Sequence, residues 1–368
     1  MRVALVSPYD LDRPGGVQNH VRDLSRELCS RGHIVAVFAP GQTRGLGRTV
    51  TLNVNGSQAP VGLGLDTVRR TRSTLSRFAP DIVHVHEPGV PLVGWAALGQ
   101  IGDAATVATC HAYTDRARLL PVVRPIGRAL AKRVDRFIAV SDAAATFHAR
   151  AFSVPKQAFT VIGNGIDLTR FPRHTPRTDQ EILAAPRLTY LGRLEHRKGV
   201  DVLVAAFIAL VDTFPHATLT IVGDGPQRTR LHAAIPAHLA SAVTFTGRVS
   251  DEERQQILHQ TDVLVAPARG GESFGIVLLE ALASGCTLVA TRIPGYASVV
   301  RDGIDGWLAA PNDTQALADT LTEALTRADM RLTRRNNGFL RAETFGWPVV
   351  TDAIETVYRQ ALDAHQNR

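Results

Sequence analysis

Leu188-Thr189-Tyr190-Leu191-Gly192-Arg193-Leu194-Glu195-His196-Arg197-Lys198-Gly199 reads as a short apolar strand, a polar loop and the opening of a helix. That succession is the unit from which parallel α/β sheets are built. Downstream it repeats, with predicted strands at Leu188–Leu191, Leu219–Val222, Val243–Thr246, Val263–Ala266 and Thr287–Ala290. Helical-period segments near Val200–Asp212, Gln227–Ala234, Asp251–His259, Phe274–Ala283 and Thr314–Thr326 fill the intervals. Upstream the same rhythm gives strands Val3–Ser7, Ile34–Phe38, Ile82–His86, Thr106–Cys110, Phe137–Val140 and Phe159–Ile162. Helices are expected there at Val17–Arg31, Asp66–Phe78, Pro91–Ile101, Leu119–Val134 and Asp142–Phe152. The strands are mostly continuous apolar runs, as expected where helices cover both faces of a sheet.

The rhythm breaks between Gly163 and Arg187, where Asn164-Gly165, Phe171-Pro172, Pro176 and Pro186 cluster. The expected organisation is therefore two Rossmann-like α/β domains facing an interdomain cleft, over residues 1–170 and 171–346. A last helix, about 347–364, is expected to cross back to the first domain. A length of 368 residues, 45% of them hydrophobic, suits two buried cores and excludes a disordered chain.

Charge narrows the partners. Met1 to Arg170 holds 21 Lys and Arg against 12 Asp and Glu, whereas Phe171 to Arg368 holds 20 against 22. The basic excess thus sits in the first half, and basic patches attract phosphates of any kind, so nucleic acid, anionic lipid and nucleotide ligands are all open here. Three dispersed cysteines, Cys29, Cys110 and Cys286, make neither a disulfide framework nor a metal knuckle. Arg2-Val3-Ala4-Leu5-Val6-Ser7 reads as a strand, not a signal peptide. The longest charge-free apolar stretch, Pro88–Gly102, is short of the roughly 20 residues that span a bilayer. Membrane contact is expected to be peripheral, from the cytoplasmic side.

Several loops carry groups suited to anions. Pro14-Gly15-Gly16-Val17 follows the first strand and opens a helix, where glycine admits close approach and the helix N-terminus favours negative charge. A tight βα turn explains the same residues. Arg193 and Lys198, at the carboxyl end of a strand, suit a diphosphate, the one as a fork and the other as a point charge. In Gly270-Gly271-Glu272-Ser273-Phe274-Gly275-Ile276-Val277-Leu278-Leu279-Glu280-Ala281, Ser273 is a candidate helix cap, with the amides of Phe274, Gly275 and Ile276 free to meet an anion. Glu272 would lie just before such a helix and Glu280 two turns into it, roughly 10 Å apart along the axis. Glu280 lies among apolar residues, where a carboxylate is costly unless it is paired or reaches a ligand.

Glu272 to Glu280 matches the E-x7-E motif, and the order of motifs along the chain resembles the family 4 retaining glycosyltransferases of GT-B fold. Val222-Gly223-Asp224-Gly225-Pro226 and Asn164-Gly165-Ile166-Asp167 are similar to further motifs of that family. Pro8-Tyr9, Pro14–Gln18, His84-Val85-His86-Glu87-Pro88 and Gly270–Val277 resemble the actinobacterial phosphatidylinositol α-mannosyltransferases. The resemblance implies transfer of mannose from GDP-mannose to a phosphatidylinositol-type lipid, without a metal or other cofactor. It implies that Gly16, Arg193 and Lys198 meet the donor diphosphate, with Ser273, Phe274, Gly275 and Ile276 beside it. Glu272 would hold sugar hydroxyls, Glu280 the ribose, and Tyr9, Gln18 and Arg116 the acceptor. His111, at a strand end, would be catalytic together with Glu272, Arg193 and Lys198. A UDP-sugar donor and a soluble or different lipid acceptor stay open.

The segment Leu65–Phe78 carries an apolar arc of Leu65, Val68, Leu75 and Phe78, with Arg69, Arg70 and Arg77 outside it and Arg72 just inside one edge. It reads either as an ordinary surface helix or as a basic patch for anionic lipid, extended by Arg116, Arg118 and Arg124. The resembling mannosyltransferases have a basic amphipathic helix at this place. Asp10-Leu11-Asp12 has the spelling of a metal motif, and His84 and His86 share a strand face, but no third ligand is close in sequence. No metal is expected at either, and nucleic acid becomes the least fitting phosphate partner.

Overall fold

The computed structural model describes residues 1–13, 15–41, 46, 49–54, 57–62, 64–99, 102–113, 120–173 and 177–367. Pro14, Arg116 and Arg118, singled out above, lie outside the described residues. The chain divides into two compact units, Met1–Gly165 with Trp347–Arg368, and Ile166–Gly346.

In the first unit the strands are β1 (Arg2–Val6), β2 (Ile34–Phe38), β3 (Thr49–Val54), β4 (Ser57–Gly62), β5 (Ile82–His86), β6 (Ala105–Cys110), β7 (Arg136–Ala139) and β8 (Phe159–Val161). Six of them form one parallel sheet in the order β2-β1-β5-β6-β7-β8. The remaining two, β3 and β4, make an antiparallel hairpin that the sequence reading did not anticipate. Helices Gly16–Ser30, Leu65–Phe78, Val93–Leu98, Leu120–Ala131 and Asp142–Phe152 connect the strands. Ser141 caps the last of these, its hydroxyl accepting the Ala144 N–H at 3.1 Å.

The final helix, Trp347–Gln366, belongs to this unit. Val350, Ile354, Val357, Tyr358 and Ala361 recur at helical spacing and are buried with Val21, Leu24, Ile82 and Val107. Polar contacts fix its position: Arg31 Nη2 donates to Pro348 O at 2.7 Å, and His33 pairs with Glu355 at 2.8 Å. The Tyr358 hydroxyl bonds His84 Nδ1 at 2.8 Å inside the unit.

The second unit has β9 (Arg187–Leu191), β10 (Thr218–Val222), β11 (Val243–Gly247), β12 (Val263–Ala266), β13 (Thr287–Thr291) and β14 (Trp307–Ala309). They form a parallel sheet in the order β11-β10-β9-β12-β13-β14. The connecting helices include Val200–Val211, Asp251–His259, Ile276–Ser284 and Thr314–Thr326. Helix Ala328–Glu343, absent from the sequence reading, turns two arginines inward. Arg335 Nε donates to Gly285 O at 2.6 Å, and Arg331 donates to Ala324 O at 3.1 Å and pairs with Asp179.

Both sheets are doubly wound, the hallmark of Rossmann-like domains. Strand order reverses between β1 and β5 in one unit and between β9 and β12 in the other. At such a switch point the loops leaving the strand ends diverge and open a crevice for ligands.

Candidate functional site

At the switch point of the second unit, β9 runs into Gly192–Glu195 and a single turn at His196–Lys198 before helix Val200–Val211. Gly199 closes that turn at φ +65°, and a Cβ there would sit 2.1 Å from the Pro267 carbonyl oxygen. The turn that carries Lys198 therefore requires glycine. Gly199→Ala is expected to lower the unfolding temperature by roughly 5 °C or more, reflecting at least about 2 kcal/mol of clash and backbone strain. A calorimetric scan unchanged from wild type would show that the turn is not held as tightly as these contacts require.

The loop after β12 meets this turn through charge. Lys198 Nζ lies 2.9 Å from Glu272 Oε1, and Arg197 pairs with the same oxygen. Arg197 also bonds Glu195 at 2.9 Å, and Arg193 reaches Glu195 at 3.4 Å. Burial alone would raise the Glu272 carboxyl, but Lys198 and Arg197 outweigh it and hold the group below the usual range. The two loops that the sequence reading singled out separately are thus one charged assembly. Arg197 and Glu195 are additions to it; both stand in the quoted loop, but nothing in their spacing distinguished them from solvated charges.

The helix that follows begins at Ile276, not Phe274, and this corrects two expectations. Ser273 is not its cap: Gly275, at φ +95°, occupies that position and no side chain caps the helix. Phe274 is buried against Phe345, with ring centroids 5.6 Å apart, so only its backbone can serve a ligand. Glu272 lies before the helix, as expected, but the later start puts Glu280 one turn into it and not two. Glu280 is buried among Leu278, Leu279, Ala281 and Leu282. Its Oε1 stands 3.2 Å from Arg254 Nη1, and its Oε2 has no partner. Burial pushes its carboxyl up to about 7 against the opposing pull of Arg254. An interior carboxylate with one satisfied and one vacant oxygen is suited to receive ligand hydroxyls.

In the first unit, the loop after β1 leads into helix Gly16–Ser30, whose cap Gly15 is extended and offers no side-chain bond. The first-turn amides, that of Gly16 among them, have no acceptor within the helix. Gln18 is buried and folds back over Gly15. Tyr9 donates its N–H to Ser7 Oγ at 3.2 Å, and burial, with the Glu87 charge nearby, raises its hydroxyl. Asp10 turns onto its own loop, accepting the Asp12 N–H at 3.0 Å.

His111 stands just beyond β6 and bonds His86 through Nε2 and Nδ1 at 3.0 Å. Glu87, at φ +51°, accepts the backbone N–H groups of His111 and of Ala112, the latter at 2.6 Å. Burial raises Glu87 to about 7 even though both bonds favour its charged form. Glu87 sets the His111 backbone, a role its quoted motif did not disclose. His84 stacks on His86 at 4.3 Å and bonds Thr109 Oγ1 at 2.6 Å. No third histidine is close to His84 and His86 in sequence, but the fold brings one to them: His20, one turn into its helix, lies 5.5 Å from the His86 ring and 4.8 Å from that of His111. Burial lowers His20 to about 4 and His84 to about 3, and carries His86 and His111 well below their usual value. All four rings are neutral at pH 7.

Helix Leu65–Phe78 exposes Arg69, Arg70, Arg72 and Arg77, but its buried face is Thr67, Thr71 and Leu75. Leu65, placed in the inward arc above, is 76% exposed. Among the described residues, no helix is long and apolar enough to cross a membrane.

Two doubly wound units, each with anion-suited loops at its switch point, are the parts from which a GT-B glycosyltransferase is built. The family model described as Glycosyltransferase Family 4 matches residues 14–170, and that described as Glycosyl transferases group 1 matches residues 185–327. The chain is 35% identical to the phosphatidyl-myo-inositol mannosyltransferase of Mycobacterium tuberculosis, over 97% of this chain and 96% of that one. It is 33% identical to the phosphatidyl-myo-inositol mannosyltransferase of Propionibacterium freudenreichii, over 98% and 95%. The fold is shared with sucrose-phosphate synthase of Thermosynechococcus elongatus, at TM-score 0.78, 23% identity and 99% of both chains. It is also shared with Anabaena HepE in complex with UDP and glucose, at TM-score 0.74, 21% identity and 96% and 98% of the chains. The protein belongs to the family 4 glycosyltransferases.

Proposed function

We propose that the protein transfers mannose from GDP-mannose to a phosphatidylinositol-type lipid at a membrane surface, with retention at the anomeric carbon. The observation that carries the donor half is the meeting of the Lys198 turn with the Glu272 loop at the switch point of the second unit. Cleaving a glycosyl phosphate builds negative charge on the departing diphosphate, and fixed cations there stabilise it. Lys198 and Arg193 are assigned to that charge, Glu272 to the sugar hydroxyls and Glu280 to the ribose. The amides of Ser273, Gly275 and Ile276, with that of Phe274, line the same loop. Because side-chain cations meet the diphosphate, transfer is read as independent of a metal or other cofactor. Gly16 offers its amide to phosphate, Tyr9 and Gln18 contact the acceptor, and neutral His111 accepts from or donates to the reacting hydroxyls.

The assignment of mannose and the lipid is supported by the relatives' being phosphatidyl-myo-inositol mannosyltransferases, and the exposed arginines of helix Leu65–Phe78 would supply a means of reaching anionic lipid. Purified protein is expected to transfer mannose to phosphatidylinositol presented in liposomes. Replacing Arg69, Arg70, Arg72 and Arg77 together by Gln is expected to weaken vesicle binding roughly hundred- to thousand-fold, at about 1 kcal/mol per arginine. Thermal protection by a UDP-sugar but not by GDP-mannose would replace the donor assignment. Equal turnover of soluble acceptors without vesicle binding would replace the lipid assignment.

A further inference from the structure

The proposed reaction uses His111 but leaves unexplained why three more imidazoles crowd the same interior. One nitrogen from each of His20, His86 and His111 lies within 4.8 Å of the others. These residues are 5%, 0% and 7% exposed. Neither ring nitrogen of His20 makes a close hydrogen bond, the Asn164 carboxamide being the polar group beside it, and Nε2 of His86 has no partner. Leaving a buried polar atom unpaired costs about 1–3 kcal/mol, so the His20 ring, lying beside the close His86–His111 nitrogen pair, points to something that satisfies it. The carboxamide of Asn164 lies beside His20 and His111, and its Oδ1 is likewise buried without a partner.

We propose that His20, His86 and His111 form a binding site for a borderline divalent transition ion of the Zn2+ type, with Asn164 Oδ1 or a water as fourth ligand. Imidazole is a favoured ligand of such ions, and a carboxamide oxygen is an acceptable fourth. At a metal–nitrogen distance of about 2.0–2.1 Å, tetrahedral ligands stand roughly 3.4 Å apart. His86 and His111 are already 3.0 Å apart, and exchange their mutual hydrogen bond for the ion. His20 closes the remaining distance by a ring movement of about 1.4 Å, held back only by its contact with the Asn164 carboxamide. Glu87 holds the His111 backbone while this happens, so the ligand stays aimed. On the reading of His111 as an acceptor-side catalytic group, an ion that takes His111 withdraws it from the reaction. Occupancy therefore inhibits transfer.

The test is titration of the full chain, freed of metal by a chelator, with Co2+ and then with Zn2+. One equivalent of Co2+ is expected to give the intense visible bands of four-coordinate geometry, and Zn2+ to displace it. His20→Phe, which keeps an aromatic ring against Trp347, is expected to weaken binding more than about tenfold. His20→Gln serves as a second variant should the first unfold. Absence of the bands, or bands that survive in both variants, overturns the site. Zn2+ bound stoichiometrically to an enzyme whose turnover it leaves unchanged overturns the inhibition. Failure to transfer mannose to phosphatidylinositol would not alter the Co2+ titration, so the two readings fail separately.

Discussion

Lys198→Ala lowers kcat/KM for sugar transfer by roughly 10²- to 10³-fold, the effect of deleting one preorganised donor from a developing oxyanion. The loss falls mainly on kcat, because the diphosphate gains charge only as the glycosyl bond breaks. Stability changes little: the ammonium is partly exposed, and its partner Glu272 keeps Arg197 after the substitution, so no buried carboxylate is abandoned. Lys198→Arg restores charge without restoring the compact geometry, and recovers only part of the rate. Initial rates across donor concentrations separate these effects. A variant with raised KM and unchanged kcat would mean that Lys198 serves ground-state binding alone.

The parallel sheets were legible because their central strands are buried on both faces, which writes them as unbroken apolar runs such as Val263–Ala266 and Ile82–His86. Elements whose burial is partial, short or polar escaped. Trp307–Ala309 is three residues of edge strand, and the hairpin strand Ser57–Gly62 contains Pro60 and the polar residues Ser57 and Gln58. Helix Ala328–Glu343 hides its buried face behind Arg331 and Arg335, whose charges satisfy backbone carbonyls that a hydropathy pattern cannot see. In the second unit, Lys198, Glu272 and Glu280 stood out by motif. Their partners Arg197 and Arg254 did not, since an ion pair between distant segments leaves no local signal. The same limit concealed His20. A histidine inside an amphipathic helix reads as core or surface until the sheet brings His86 and His111 to it.

Glu280→Gln separates the affinity of the donor unit from its stability, moving the two in opposite directions. The wild-type carboxyl titrates at about 7 because burial penalises its charge, whereas its ordinary value is 4.5. Between these values the native chain holds a proton that the unfolded chain has released, so stability falls as pH rises from 4.5 through about 7. Below the lower value both states are protonated and the penalty is absent; above the higher one it is complete, on the order of 3 kcal/mol. Glutamine carries no such penalty, and Arg254 retains Asp251 at 2.9 Å as a partner. The variant is therefore expected to unfold at a higher temperature than wild type at pH 8, and to lose that advantage at pH 4. Nucleotide affinity changes the other way. A carboxylate with one oxygen vacant accepts ribose hydroxyls more strongly than an amide does, so binding of the nucleoside diphosphate weakens by about 10- to 100-fold. In wild type that affinity rises with pH up to and beyond about 7, as Glu280 ionises; in the variant this limb is flat. Calorimetric titration at pH 6 and pH 8 reads the contrast. Parallel pH profiles for the two proteins would place the ribose elsewhere and leave Glu280 as a partner of Arg254 alone.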